Sequence, residues 1–288
     1  MSGILGWALE PFHYSFIQQA LLVVSVVAIS AGLLSCWLVL VGWSLLGDAV
    51  SHAVLPGVVL AFILGLPFAV GALVAALLAV GLVHAVGSGS TLKEDTSIGI
   101  VFTTLFAVGL VMVSLTPASG HVQELLFGNL LGVSHSALLQ VLICGAAAVV
   151  LVAIFGRAFT LWAFDPIHTR TLGFPVHAIR SALLVAMALV VVAGVQAVGV
   201  ILVVSLLITP GATAYLLTTR IQRMLLIAPV VAWISGVGGI LLSYYLDISS
   251  GGTIVTVQSS IFTCAYLFGA REGLVTRVLM RRTEGSRA

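Results

Sequence analysis

Nine stretches of this chain are long, apolar and almost free of charge, and each needs surroundings other than water. They run roughly over Phe16–Val41, Ala49–Leu66, Phe68–Val86, Ile98–Leu115, Ala137–Ala158, Ala178–Val195, Ala197–Leu217, Met224–Tyr245 and Thr253–Ala270. Apolar runs of about 18 residues or more read as transmembrane helices. Inside hydrocarbon, a helix satisfies every backbone N–H and C=O within the segment itself. A soluble domain with a large core is excluded, because only 7% of the residues are charged against about 25% in soluble domains. The expected fold is therefore an all-α polytopic membrane protein of about nine transmembrane helices. Only Gln196 separates the sixth run from the seventh, so eight spans plus re-entrant pieces would also fit. The chain reads as a single transmembrane domain over residues 1–288, with its spans within 16–270. Met1 to Gln19 carries no Lys or Arg, so the first run reads as a retained span rather than a cleaved leader.

The net charge of +2 is small, but its placement is informative. With nine spans and the N-terminus outside, the inner segments are the turn near Gly42–Gly47, the loops His84–Ser97, Arg157–His177 and Thr218–Arg223, and a cytoplasmic tail over 271–288. All 11 Lys and Arg residues then fall inside or at the inner boundary, as the positive-inside rule requires. The outer segments carry only Glu10, Glu124 and Asp247. No stretch is basic and aromatic enough to bind nucleic acid. Cys36, Cys144 and Cys264 lie far apart in apolar runs, without zinc-site spacing, and read as small packing residues.

Two loops are long. The outer loop Thr116–Ser136 is amphipathic and Gly-punctuated, and suggests short helices at the outer face or dipping inward. The inner segment of about 159–177 carries a helix signal, with Asp165 as N-cap, Pro166 at the first helical position and Gly173 as the stop. About two turns of helix are expected there, outside the membrane.

A charge inside a span costs about 2.5–3.5 kcal/mol even on the mild insertion scale. Asp48 and His52 stand at the start of the second run, and their i, i+4 spacing puts both on one helical face. Pro56, Gly47 and Gly57 would loosen the helix nearby. Three readings stay open from spacing alone. The pair can contact a divalent cation through one oxygen and one nitrogen, Asp48 can cap the span while His52 pairs locally, or both can relay protons. Two ligands make an incomplete metal site, which a second copy of the helix near a dimer axis would complete. His84 and His177 read as interfacial, and His168 as a partner contact. His121 and Glu124, at i, i+3, could pass an ion inward or form a solvated pair. The chain has no GxxxxGK[ST] phosphate loop, no HExxH or GxSxG, and no obvious inverted repeat. An ATP-hydrolysing enzyme is thereby excluded, and an ion- or proton-coupled secondary metal transporter remains as an alternative on physics alone.

The segments "GWSLLGDAVSHAVLPGVVLAF", "LKEDTSIGIVFTTLFAVGLV", "LLFGNLLGVS", "FDPIHTRTLGFPV", "QAVGVILVVSLLITPGATAYLLT" and "SYYLDISSGGTIV" resemble, in order, permease subunits of the bacterial manganese/zinc/iron ABC importers. The resemblance covers roughly residues 10–275, and the first segment looks most like manganese and iron members. It implies a permease fold like that of the cobalamin and siderophore importers, in the bacterial plasma membrane. It also implies a second permease subunit (the same chain or a paralogue), cytoplasmic ATPase subunits holding the ATP, and an extracytoplasmic solute-binding protein. No permanently bound cofactor is implied. The cargo would be a divalent metal, Mn²⁺ first and Fe²⁺ or Zn²⁺ next. By motif, Asp48 and His52 match the pathway metal contacts. Asp165, Pro166, His168, Arg170 and Gly173 match the region that docks on the ATPase. His121 and Glu124 fall near the outer gate and binding-protein contact. One departure is visible, since relatives commonly carry a basic residue just before Gly-Trp-Ser and here Val41 and Gly42 precede Trp43.

Overall fold

A helix that is apolar on every face is stable only where other helices or lipid surround it. In the computed structural model, which describes residues 10–89, 94–115, 130 and 132–269, helix α1 (Ser15–Val41) is such a helix. Ile17, Val24, Val27, Leu34 and Leu38 have no exposed surface. The remaining helices are α2 (Ser44–Ala53), α3 (Leu55–Leu64), α4 (Phe68–Gly89), α5 (Glu94–Ser114), α6 (His135–Phe164), α7 (Pro166–Thr171), α8 (Val176–Val198), α9 (Val200–Leu217), α10 (Ile221–Leu246) and α11 (Ser250–Phe268). Helices α6, α8, α9 and α10 pack around α1, whereas α3, α4 and α5 pack on one another. Helix α2 joins the two groups through α5 on one side and α9 on the other.

Among the described residues, nine helical segments are long and apolar enough to cross a membrane, with α2 and α3 together forming the second, Leu45–Leu64. The break between them falls at Val54. Pro56 has no N–H to give to the carbonyl four residues back, that of His52.

Polar side chains tie the spans together. Gln140 Nε2 donates to the Val192 carbonyl at 2.7 Å, Gln258 Nε2 to the Ser205 carbonyl at 2.9 Å, and Trp37 Nε1 to Thr160 Oγ1 at 3.1 Å. Each such bond between membrane helices contributes on the order of 1 kcal/mol.

Three boundaries differ from the sequence expectation. The sixth and seventh spans divide at Gly199, not Gln196. Gly199 has φ +84°, a left-handed backbone open mainly to glycine, while Gln196 continues α8. Helix α6 runs on to Phe164, because Phe159 and Trp162 are buried against its neighbours, so the connection to α8 shrinks from about 159–177 to 165–175. The turn expected over Gly42–Gly47 is tighter, with Gly47 already inside α2. The short helices expected in the loop Thr116–Ser136 fall mostly on positions 116–129 and 131, which with His121, Glu124 and the tail from Arg271 lie outside the described residues, while His135 and Ser136 already belong to α6.

Helices α3 and α4 meet through matched small residues. Gly57 and Ala61 on α3 face Gly71 and Ala75 on α4, at i, i+4 on both helices, so close that a Cβ at Gly57 would overlap the Gly71 carbonyl and the reverse. Gly81, also on α4, has nothing within 4 Å of such a Cβ. Gly71→Leu is therefore expected to destabilise the detergent-solubilised protein by about 3 kcal/mol or more. Gly81→Leu should stay within about 0.5 kcal/mol. Thermal unfolding of the two variants side by side checks this, and equal melting shifts would refute the close-crossing account.

Candidate functional site

Trp43 is the N-cap residue of α2, and its side chain makes no capping bond. Asp48 lies five residues further on, beyond the reach of a cap. One face of α2 is pressed onto α9, where a Cβ at Gly47 would stand 3.1 Å from Leu207 Cδ1. On that face Ser51 is buried and donates to the Gly47 carbonyl at 2.7 Å. Asp48 and His52 project from a different face. His52 Nε2 stands 3.4 Å from Asp48 Oδ1, with the side chains 23% and 43% exposed.

The His52 ring is held by α5. Phe102 lies with its centroid 5.4 Å away and Phe106 at 5.0 Å, edge to face, and the two phenyl rings stack on each other. Pro56 and Leu55, just past the break, pack where a Cβ at Gly109 of α5 would touch them at 3.0 Å. The imidazole is thus fixed by aromatic walls, while the carboxylate stays open on the surface of the single chain. Two donors on one metal ion, each at about 2.0–2.2 Å, stand roughly 3–3.5 Å apart, and Nε2 and Oδ1 already do. No group of three or more His, Cys, Asp or Glu suited to a metal occurs among the described residues, so this chain offers one oxygen and one nitrogen at this position.

Helix α7 is built as its sequence indicates, though at six residues it is shorter than the two turns expected. Asp165 Oδ1 accepts from the His168 N–H at 2.8 Å, and Pro166 fills the first helical position. Thr169 is buried and returns its hydroxyl to the Asp165 carbonyl at 2.7 Å. Gly173 has φ +80°, and Phe174 N–H donates back to the Thr169 carbonyl. Apolar side chains stand out from this turn, Ile167 at 79% exposure and Phe164, Leu172 and Phe174 around it.

Two arrangements could not be read from the sequence. Trp43 sits between the segments that flank α7. The Arg180 guanidinium of α8 lies 5.2 Å over the Trp43 ring, and Trp162 of α6 stands 5.3 Å from it. A cation from α8 thus lies beside the turn that joins α1 to α2. His84 of α4 and His177 of α8 also meet, with ring centroids 5.9 Å apart. No local spacing signals either contact, because the partners come from different helices.

The profile of the ABC 3 transport family matches residues 13–269. The chain is 44% identical over 265 residues to a probable iron transport system membrane protein of Haemophilus influenzae, covering 92% of this chain and 98% of the relative. It is 40% identical over 277 residues to the manganese transport system membrane protein MntB of Synechocystis, covering 96% and 90%. In structure it is similar to PsaBC from Streptococcus pneumoniae, solved in complex with Fab. There the TM-score is 0.84 at 35% identity, over 98% of this chain and 100% of that one.

The geometry of α7 carries its own prediction. Asp165→Ala should cost the short helix about 1 kcal/mol and raise hydrogen exchange across residues 166–171, while Asp165→Asn keeps the cap. Equal protection in all three proteins would rule out the capping role.

Proposed function

The chain belongs to the ABC 3 transport family, and on that premise we propose that it imports a divalent transition metal, Mn²⁺ first and Fe²⁺ or Zn²⁺ next. Its whole length serves as one permease domain. It is a membrane protein, and ATP is hydrolysed on separate subunits. The observation that carries the reading is the Asp48–His52 pair, one oxygen and one nitrogen 3.4 Å apart on an open face of α2. The names of the similar proteins, which mention iron and manganese transport, favour the same cargo.

A second permease subunit, the same chain or a paralogue, would bring its own pair to the open carboxylate. The resulting set of two oxygens and two nitrogens suits a borderline divalent ion. Held only in transit, such an ion must be released as readily as it enters. His121 and Glu124 would serve the outer gate and the contact with a solute-binding protein. The Lys and Arg distribution supports an orientation with the α7 end of the bundle in the cytoplasm.

Asp165, Pro166, His168, Arg170 and Gly173 form the part that docks on an ATPase, and the protruding Ile167 and Leu172 suit an apolar socket there. Trp162 and Arg180 lie on either side of α7 in sequence and both press on Trp43. A displacement of α7 therefore reaches the first residue of the turn that leads into Asp48. By this route ATP binding in the partner would open and close the metal contact.

Uptake of radiolabelled manganese into proteoliposomes, with the ATPase and binding protein present, tests the site. Asp48→Ala and His52→Ala should each lower uptake more than about tenfold, a loss of about 1.4 kcal/mol or more, with the complex still assembled. Normal uptake by either variant would sink the assignment. Trp43→Ala should leave ATP hydrolysis running while uptake falls, and a parallel fall of both would argue against the relay.

A further inference from the structure

On the far side of α1 from the metal pair, the bundle leaves a slot. Helices α6 and α10 both pack along α1 and hardly touch each other. Between them lies a groove of about 580 Å³, within the roughly 300–1,000 Å³ of small-molecule sites. Its floor is Leu33 and Trp37 of α1, one wall is Val152 and Gly156 of α6, and the other is Ile221 and Leu225 of α10. The Trp37 indole N–H is already used by Thr160, so the floor presents only carbon to an occupant.

The rim is different. Arg157, Thr160 and Gln222 are its polar lining side chains. Arg157 is exposed, and among the described residues no carboxylate pairs with it. Helix α6 has 30 residues, about 45 Å at 1.5 Å per residue, longer than the roughly 30 Å hydrocarbon layer. Arg157 stands seven residues before Phe164, about 10 Å from the end of the helix. An arginine at that depth is within snorkelling reach of the headgroup level. Arg220 and Arg223 add positive charge at the start of α10.

We propose that this groove is a binding site for an anionic phospholipid, one acyl chain lying over Trp37 and Gly156 and the phosphate held by Arg157 and Gln222. A guanidinium and a phosphate pair through parallel N–H···O bonds, and in phosphatidylcholine the quaternary ammonium offsets the phosphate charge that the guanidinium would meet. The inference needs only that the chain spans a membrane, and it stands apart from the metal pair.

Native mass spectrometry of the full-length permease in mild detergent tests it, with phosphatidylglycerol and phosphatidylcholine of identical chains as probes. One phosphatidylglycerol per chain should bind about tenfold more tightly than phosphatidylcholine. Arg157→Gln should reduce that preference to less than about twofold, and Arg157→Lys should restore part of it. A Cβ at Gly156 meets only the edge of Trp37, at 3.5 Å, so Gly156→Leu fits the fold and fills the groove, and should displace both lipids. Equal affinity for the two lipids in the unaltered protein would overturn the proposal. So would phosphatidylglycerol binding unchanged by Arg157→Gln, or binding lost in Arg157→Gln yet intact in Gly156→Leu. Should Gly156→Leu fail to fold, the exposed Arg157 variants decide the matter.

Discussion

Helices in a bilayer gain little by hiding apolar surface from one another, because lipid tails are as apolar as leucine. What holds this bundle is close van der Waals contact, and small residues make it possible. Gly57 and Ala61 meet Gly71 and Ala75, Gly211 lies against the Ser35 backbone, and Gly32 against Pro229, where a Cβ would stand 2.8 Å from the proline Cα. Interhelical bonds from Gln140, Gln258 and Trp37 then fix rotation and register. Every other feature, the position of Asp48 included, inherits its accuracy from these contacts.

The candidate site shows this dependence directly. Glycine at 47 lets α2 lie against Leu207 of α9, and that contact leaves the adjoining face, with Asp48 and His52, turned toward α5 and open surface. Phe102 and Phe106 then wall in the imidazole, whose nitrogen stands 3.4 Å from the carboxylate. Under the proposed function, an ordered ring would lose less freedom on meeting an ion, and a half-open carboxylate would keep the contact short-lived. Those two properties together suit passage rather than storage.

Much of this was legible in the chain. Apolar run length located the spans within a few residues, since hydrocarbon thickness sets the length of a crossing helix. Local capping chemistry located α7, because Asp165, Pro166 and Gly173 each act on their own backbone. The failures share a cause. Gln196 reads as a divider because it is polar, yet α8 continues through it although its buried Nε2 has no hydrogen-bond partner among the described residues, and the backbone angle at Gly199 makes the turn. Residues 159–164 looked like loop because Arg157 and Thr160 interrupt the apolar run, yet Trp162 and Phe159 found buried partners that extended α6.

By itself, then, the sequence determined the crossings, the segregation of positive charge to one set of loops, the short α7 and the pairing of Asp48 with His52. All of these follow from periodicity and from interactions within a few residues. Only the tertiary structure decided that Arg180 and Trp162 converge on Trp43, that two phenylalanines of α5 hold His52, and that α6 and α10 stand apart over Trp37. Those contacts join residues from separate helices. Apolar helices carry too little pattern to announce which neighbour they will meet, so close packing has to choose.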